Sequence, residues 1–162
     1  MSTRCQIALY DHEPKDINEW EVLLYRHSDG YPDTKHGVLA FLKPALDEFI
    51  KGRGWDVEYM GAWLMYRLKD DYIKSNYEWR KEMWDNKEWG YQDKYKTFDE
   101  YVQSNKPNNF LGHGVSKVFH ADIEYLYVVF PNELRVYNCH SGWWDSPSFK
   151  SLTLVEKHVL ND

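Results

Sequence analysis

The sequence predicts an α+β domain: an antiparallel sheet built from two hairpins, helices packed on one of its faces, and an aromatic-rich helical insertion. Three observations carry this expectation. Paired, alternating apolar runs joined by turns occur near both ends of the chain. Between them lie two stretches with apolar residues at helical spacing. A third central stretch, residues 74–106, has almost no aliphatic side chains but is dense in rings and mixed charge.

Residues 3–10 alternate, with Thr3, Cys5, Ile7 and Leu9 on one side and Arg4, Gln6, Ala8 and Tyr10 on the other, which is the period of a strand. Asp11 to Asn18, containing Pro14, reads as a turn, and residues 19–27 read as the returning strand of a hairpin. Ser28-Asp29-Gly30 and Pro32 then break the ladder. A helical pattern follows from about Thr34, through Val38, Leu42, Ala45, Leu46, Phe49 and Ile50, with Pro44 inside it and Gly52 and Gly54 closing it. Asp56 is placed to cap a second helix, whose apolar stripe is Val57, Met60, Leu64, Leu68 and Tyr72.

Residues 74–106 read as an insertion or lid laid across the domain, since Tyr77, Trp79, Trp84, Trp89, Tyr91, Tyr95, Phe98 and Tyr101 can bury against a core without building one. Within it, Thr97 and Glu100 have the spacing of a capping box. Ile123 to Phe130 and Leu134 to Cys139, joined by Pro131-Asn132-Glu133, form the second hairpin. The pattern of Ser151 to Leu160 fits a helix and a strand equally well.

At 162 residues the chain fits one domain, 1–162, large enough to bury a core without disulfides or a structural metal. Aromatic residues make up 17%, including eight Trp and thirteen Tyr, a surplus that supplies both core and contact surface. The net charge of −6, with both signs interspersed, argues against a duplex-DNA binder, which needs a basic stripe. Cys5 and Cys139 form no CxxC pair and read as reduced thiols. No apolar run approaches the roughly 20 residues of a membrane span, and no signal-type stretch follows Met1-Ser2-Thr3-Arg4. The expected location is the cytoplasm.

Thr3-Arg4, the run Tyr25-Arg26-His27-Ser28-Asp29-Gly30-Tyr31-Pro32, His36-Gly37 and Asp122-Ile123-Glu124-Tyr125 together resemble a group of uncharacterised phage and prokaryotic proteins. That group carries an N-terminal Thr-Arg and an Asp-Gly-Tyr-Pro turn. The likeness covers about the first fifty residues and the 113–130 region. The chain departs from the pattern at Ser28, where the group usually has an aromatic residue, and residues 74–106 look like an insertion. The resemblance implies context only: a small cytosolic accessory protein, with interference in host defence as one role.

Two polar clusters are the candidates for chemistry. Arg4, His27, Asp29 and Tyr31 gather at the first hairpin and its turn, with Arg4 offering a fork for phosphate or carboxylate. Turn chemistry explains Asp29 and Gly30 equally well, with His27 as a solvated edge residue. His120, Asp122 and Glu124 recur at period two and should share one strand face, either as acid–base groups or as an exposed edge. His113 lies on a flexible Gly112-His113-Gly114 turn. No HxxxH or HExxH supports a metal site on this cluster, and no nucleophile elbow supports covalent hydrolase chemistry; no metal and no cofactor is expected.

The first function these residues support is binding of a small anionic ligand, a nucleotide among the candidates, or of a host protein. Arg4, His27, Asp29, Tyr31, His113 and Glu124 would then make the contacts. A hydrolase or phosphodiesterase using His27, His120 and Asp122 is the second, and a protein–protein inhibitor without a small-molecule pocket is the third.

Overall fold

A computed structural model describes Ser2 to Leu160 of the chain. The elements in order are β1 (Cys5–Leu9), β2 (Val22–Arg26), α1 (Leu39–Arg53), α2 (Val57–Asp85), α3 (Tyr91–Lys94), α4 (Phe98–Asn105), β3 (His113–Val115), β4 (Tyr125–Phe130), β5 (Glu133–Cys139) and β6 (Leu152–Val159). The fold is α+β. Both hairpins form, β1 with β2 and β4 with β5.

The sheet differs from the expected antiparallel one: it is mixed and six-stranded, ordered β3-β2-β1-β4-β5-β6, because β1 pairs with β4 in parallel. Two segments that the sequence left as turn or ambiguous add the outer strands. Gly112-His113-Gly114 is no flexible turn, since His113 and Gly114 belong to β3, antiparallel to β2. Residues 152–159 pair with β5 and settle as a strand.

Alternation divides the sheet into two packed faces. Cys5, Ile7, Leu9, Leu24, Tyr127, Val129, Leu134 and Val136 meet the apolar stripes of α1 and α2. Ala8, Tyr10, Leu23, Leu126, Val128, Phe130 and Tyr137 face the other way. That second face is covered by loop residues, chiefly Ile17, Ile123 and Trp143 with Trp20 and Phe119 against them. Both thiols are free; Cys5 packs on the helical side and Cys139 on the loop side.

The second face also holds a fully buried polar side chain, Gln6. Its amide nitrogen donates to the Val118 carbonyl at 3.1 Å, and its amide oxygen accepts from the His120 N–H at 2.9 Å. Gln6 thus pins the segment that carries the chain from β3 across β2 and β1 to β4.

α2 is longer than its apolar stripe. Its buried residues end at Leu68, yet the helix continues to Asp85, a length of about 43 Å at 1.5 Å per residue. The far half is covered by the aromatic segment, which folds back along it through Tyr77–Phe98, Trp84–Phe98 and Trp84–Tyr101 ring contacts. Tyr101 is the buried centre, touched also by Tyr91, Tyr95 and Phe98. The Thr97 hydroxyl accepts from the Glu100 N–H at 3.1 Å while the Glu100 carboxylate accepts from the Lys96 N–H at 3.0 Å, a reciprocal cap on α4. Asp56 occupies the N-cap of α2 but pairs with Arg53 at 3.0 Å instead of capping. No helix among the described residues is long and apolar enough to cross a membrane.

Two stability outcomes follow from this packing. Tyr101→Ala should melt residues 84–106 without unfolding the sheet, by about 3 kcal/mol locally. Hydrogen exchange should then lose protection across α3 and α4 and keep it in β1 and β4; loss everywhere would place the rings in the main core. Gln6→Leu should cost roughly 1–3 kcal/mol in a urea melt, since it leaves a partly buried N–H and a partly buried C=O without their partner. A loss under about 1 kcal/mol would mean water replaces both bonds.

Candidate functional site

The turn after β2 is set by close backbone approach. Asp29 adopts φ 55, left-handed geometry that Asp tolerates better than most residues. A Cβ on Gly30 would lie 2.9 Å from the Arg4 carbonyl carbon and from Cys5, so only glycine fits there. The Gly30 N–H donates to the Thr3 carbonyl at 2.9 Å, and the buried Tyr127 hydroxyl donates to the Gly30 carbonyl at 2.7 Å. Tyr31 supplies its carbonyl to the Asp33 and Val38 N–H groups at 3.0 Å each. The Asp-Gly-Tyr-Pro run is therefore a rigid corner that holds the end of β2 against the start of β1.

Beside this corner, on the helical side of the sheet, opens a cleft of about 570 Å³. Arg26 and His113, register partners across β2 and β3, form its inner end. Ser28, Asp29 and His36 line one side, and Asp71, Tyr72, Ser75, Asn76 and Trp79 of α2 line the other. Arg26 follows Val22 and Leu24 in the strand's alternation, so it faces the helices, where its guanidinium lies 4.7 Å over the Phe41 ring. Its Nε donates to the Ser28 carbonyl at 2.6 Å, while its Nη1 is buried with no hydrogen-bond partner.

His113 is 8% exposed and meets the edge of Tyr72 with ring centroids 5.4 Å apart. Neither of its ring nitrogens has a partner. Burial, reinforced by the charges of Arg26 and Lys69, pushes its pKa down to about 3. His113 is therefore neutral near pH 7 and offers one donor and one acceptor. Gly112, at φ 88, lets Tyr72 pack directly on the backbone leading into His113.

A second cluster occupies the opposite face. Arg4 donates from Nε to His27 Nδ1 at 3.3 Å and pairs through Nη1 with Asp122 at 3.2 Å. Because Arg can only donate, Nδ1 is the acceptor, which leaves the proton of neutral His27 on Nε2. The Tyr25 hydroxyl lies 3.4 Å from the same Nδ1, and the Tyr25 ring stacks on His120 at 4.6 Å. Burial first, then the Asp122 carboxylate, holds the Tyr25 pKa above its ordinary value.

The expected residues are thus brought together in two groups. Arg4, His27, His120 and Asp122 converge around Tyr25; Asp29 and His113 belong to the cleft on the other side. His120, Asp122 and Glu124 do not share a strand face, since all three precede β4, which begins at Tyr125. Glu124 is held by its backbone, donating N–H to the Arg4 carbonyl at 2.9 Å, and Tyr31 does not line the cleft. Of the rings in residues 74–106 named above, Trp79 alone lines it. Arg26 was the residue to single out from the sequence: it is a charge in the apolar phase of β2. The α2 residues Asp71, Ser75 and Asn76 gave no comparable signal.

Among the described residues no three His, Cys, Asp or Glu side chains gather as a metal site requires. No family model, no curated protein and no solved structure matches the chain.

The depressed pKa of His113 has a stability signature. Below about pH 6.5 the unfolded chain protonates this residue while the folded protein resists until about pH 3. The unfolded state then binds more protons, so stability falls as pH drops through that window. Relative to His113→Gln, the wild type should lose on the order of 1 kcal/mol per pH unit between pH 6.5 and 5 in urea melts. Parallel curves for the two proteins would show that the imidazole reaches solvent.

Proposed function

We propose that the chain is a binding protein for a small anionic ligand of nucleotide size, held in the cleft between α2 and the ends of β2 and β3. One observation carries the reading: a buried Arg26 N–H without a protein partner stands beside an unpartnered, nearly buried His113 at the inner end of that cleft. An unpaired buried donor costs roughly 1–3 kcal/mol, more when charged. A phosphate or carboxylate oxygen is the group that satisfies it best, as guanidinium hydrogen bonds to oxyanions are among the strongest in proteins. The volume falls within the roughly 300–1,000 Å³ of small-molecule sites, and Tyr72 and Trp79 give the cleft aromatic walls. The likeness of the N-terminal region to phage and prokaryotic proteins adds counter-defence as a context, and that context rests on the likeness alone.

A hydrolase is the second reading, favoured by one specific observation: His27 and His120 both flank Tyr25, and Arg4 bridges His27 to Asp122. In that reading His27 and His120 exchange protons with substrate while Arg4 neutralises an anionic group. The cluster is open to solvent and lies on the face away from the cleft, so the two readings involve different residues.

Mass spectrometry of small molecules released by heat from the purified protein tests the first reading. An anionic compound of nucleotide size should be recovered from the wild type, and Arg26→Ala should weaken its rebinding by about 10- to 100-fold, the loss of a charged hydrogen bond. The paired variant His27→Ala/His120→Ala should rebind it normally. Phosphodiester cleavage by the wild type that this pair abolishes, with no compound recovered, would overturn the binding reading in favour of the enzyme.

A further inference from the structure

The cleft contains an opposing charge that narrows the class of ligand. Asp29 on the turn and Asp71 on α2 both line it. Neither carboxylate makes an ion pair or hydrogen bond with any described residue. Both are exposed, whereas Arg26 and His113 lie deeper. The cleft therefore has a cationic inner end and an acidic rim, in a chain of net charge −6. An anionic group that reaches Arg26 leaves any further negative charge on the ligand to the outer part of the cleft, which Asp29 and Asp71 line together with His36.

Ionised carboxylates only accept hydrogen bonds. The rim therefore asks for hydroxyl or amino donors on the part of the ligand farthest from its anion. A ribose diol is such a donor pair, and an acidic side chain that accepts from it is a recurrent means of recognition. A volume of about 570 Å³ also exceeds what a phosphate with a bare sugar would fill. The Trp79 ring, 46% exposed on the wall, offers a stacking surface for a base, an interaction tolerant of base identity.

We propose that the cleft takes a nucleoside monophosphate in preference to a di- or triphosphate. Its one phosphate meets Arg26 beside His113, its hydroxyl and amino donors turn to Asp29 and Asp71, and its base lies on Trp79. This inference rests on the anion-binding reading of the same cleft. It also makes the two carboxylates the determinants of phosphate number: they accept from a monophosphate and repel the longer chain.

Titration calorimetry at pH 7.5 with EDTA, using AMP, CMP, ATP, adenosine and ribose 5-phosphate, tests it on the full chain. AMP and CMP should bind at least tenfold more tightly than ATP, ribose 5-phosphate or adenosine. Asp71→Asn, on an exposed helix face, should weaken AMP and strengthen ATP, bringing the two within about threefold. Equal or tighter binding of ATP by the wild type, or an unchanged ratio in Asp71→Asn, overturns the inference. Anion binding itself survives that result if Arg26→Ala abolishes the observed affinity. Ribose 5-phosphate binding as well as AMP would assign the site to sugar phosphates instead and also overturn it. No binding of any compound, with nothing released from the purified protein by heat, overturns the inference and the binding reading together.

Discussion

The arrangement of this sheet depends on how the chain returns from its outer strand to its middle. After β3, residues 116–124 must pass β2 and β1 before β4 can pair in parallel with β1. Strands that run the same way in one sheet, as β3 and β4 do, are usually joined by a crossover of a dozen or more residues that contains a helix. Three strand spacings come to about 14 Å, and nine extended residues span up to about 30 Å, so a bare segment suffices if something satisfies its backbone on an apolar face. Gln6 does so. Its one amide provides a donor for Val118 and an acceptor for His120, both partly buried, and so satisfies two backbone groups that no strand partner reaches.

The same clamp has a chemical consequence. Fixing the His120 backbone over β1 sets its ring on Tyr25, the register neighbour of Gln6 on β2. It also delivers Asp122 to Arg4, one strand residue away from Gln6's neighbour Cys5. The polar cluster on the loop face is thus a product of the crossover, whatever chemistry it performs. On the helical face the corresponding organiser is the Gly30 corner, where a buried phenol and the start of β1 hold the turn that carries Ser28 and Asp29 into the cleft.

Both hairpins, the two long helices and the α4 cap could be read from the sequence because each is written in local periodicity or capping chemistry. The parallel pairing could not, because it is a long-range contact with no local signal, and the Gln6 bonds to the crossover are visible only once Val118 and His120 lie above it. β3 was hidden for a related reason. Gly112-His113-Gly114 has no alternation, and its strand exists only as a partner for Leu24 to Arg26. The far half of α2 lacks an aliphatic stripe, so it looked like a separate insertion; its covering is aromatic, and Lys74–Asp70 and Lys81–Asp85 pairs support the exposed side. Hairpin pairing makes Arg4 beside β2 legible, but whether His120 and Asp122 meet that pair stayed open in the sequence, because it depends on the crossover from β3 to β4. The cleft was not, because half of its wall comes from polar residues of α2 that resemble any solvated helix face.

Period-two geometry explains why one sequence cluster becomes two sites. Arg26 and His27 are adjacent in the chain, yet a strand sends consecutive side chains to opposite faces. Arg26 goes to the helices, stacks on Phe41 and opens on the cleft. His27 goes to the loop face and meets Arg4. Read linearly, Arg26 to Asp29 looks like a single polar motif; read on the sheet, its members answer to different surroundings. His27 shares with the cleft a backbone bond, its N–H to the Gly112 carbonyl at 2.8 Å, which does not involve its side chain. The two faces can therefore be altered separately, and a loss caused by the Arg26 side chain is not evidence about the His27 cluster. The sheet between them, packed with Cys5, Ile7 and Leu24 on one side and Leu23 and Leu126 on the other, separates the two groups of side chains.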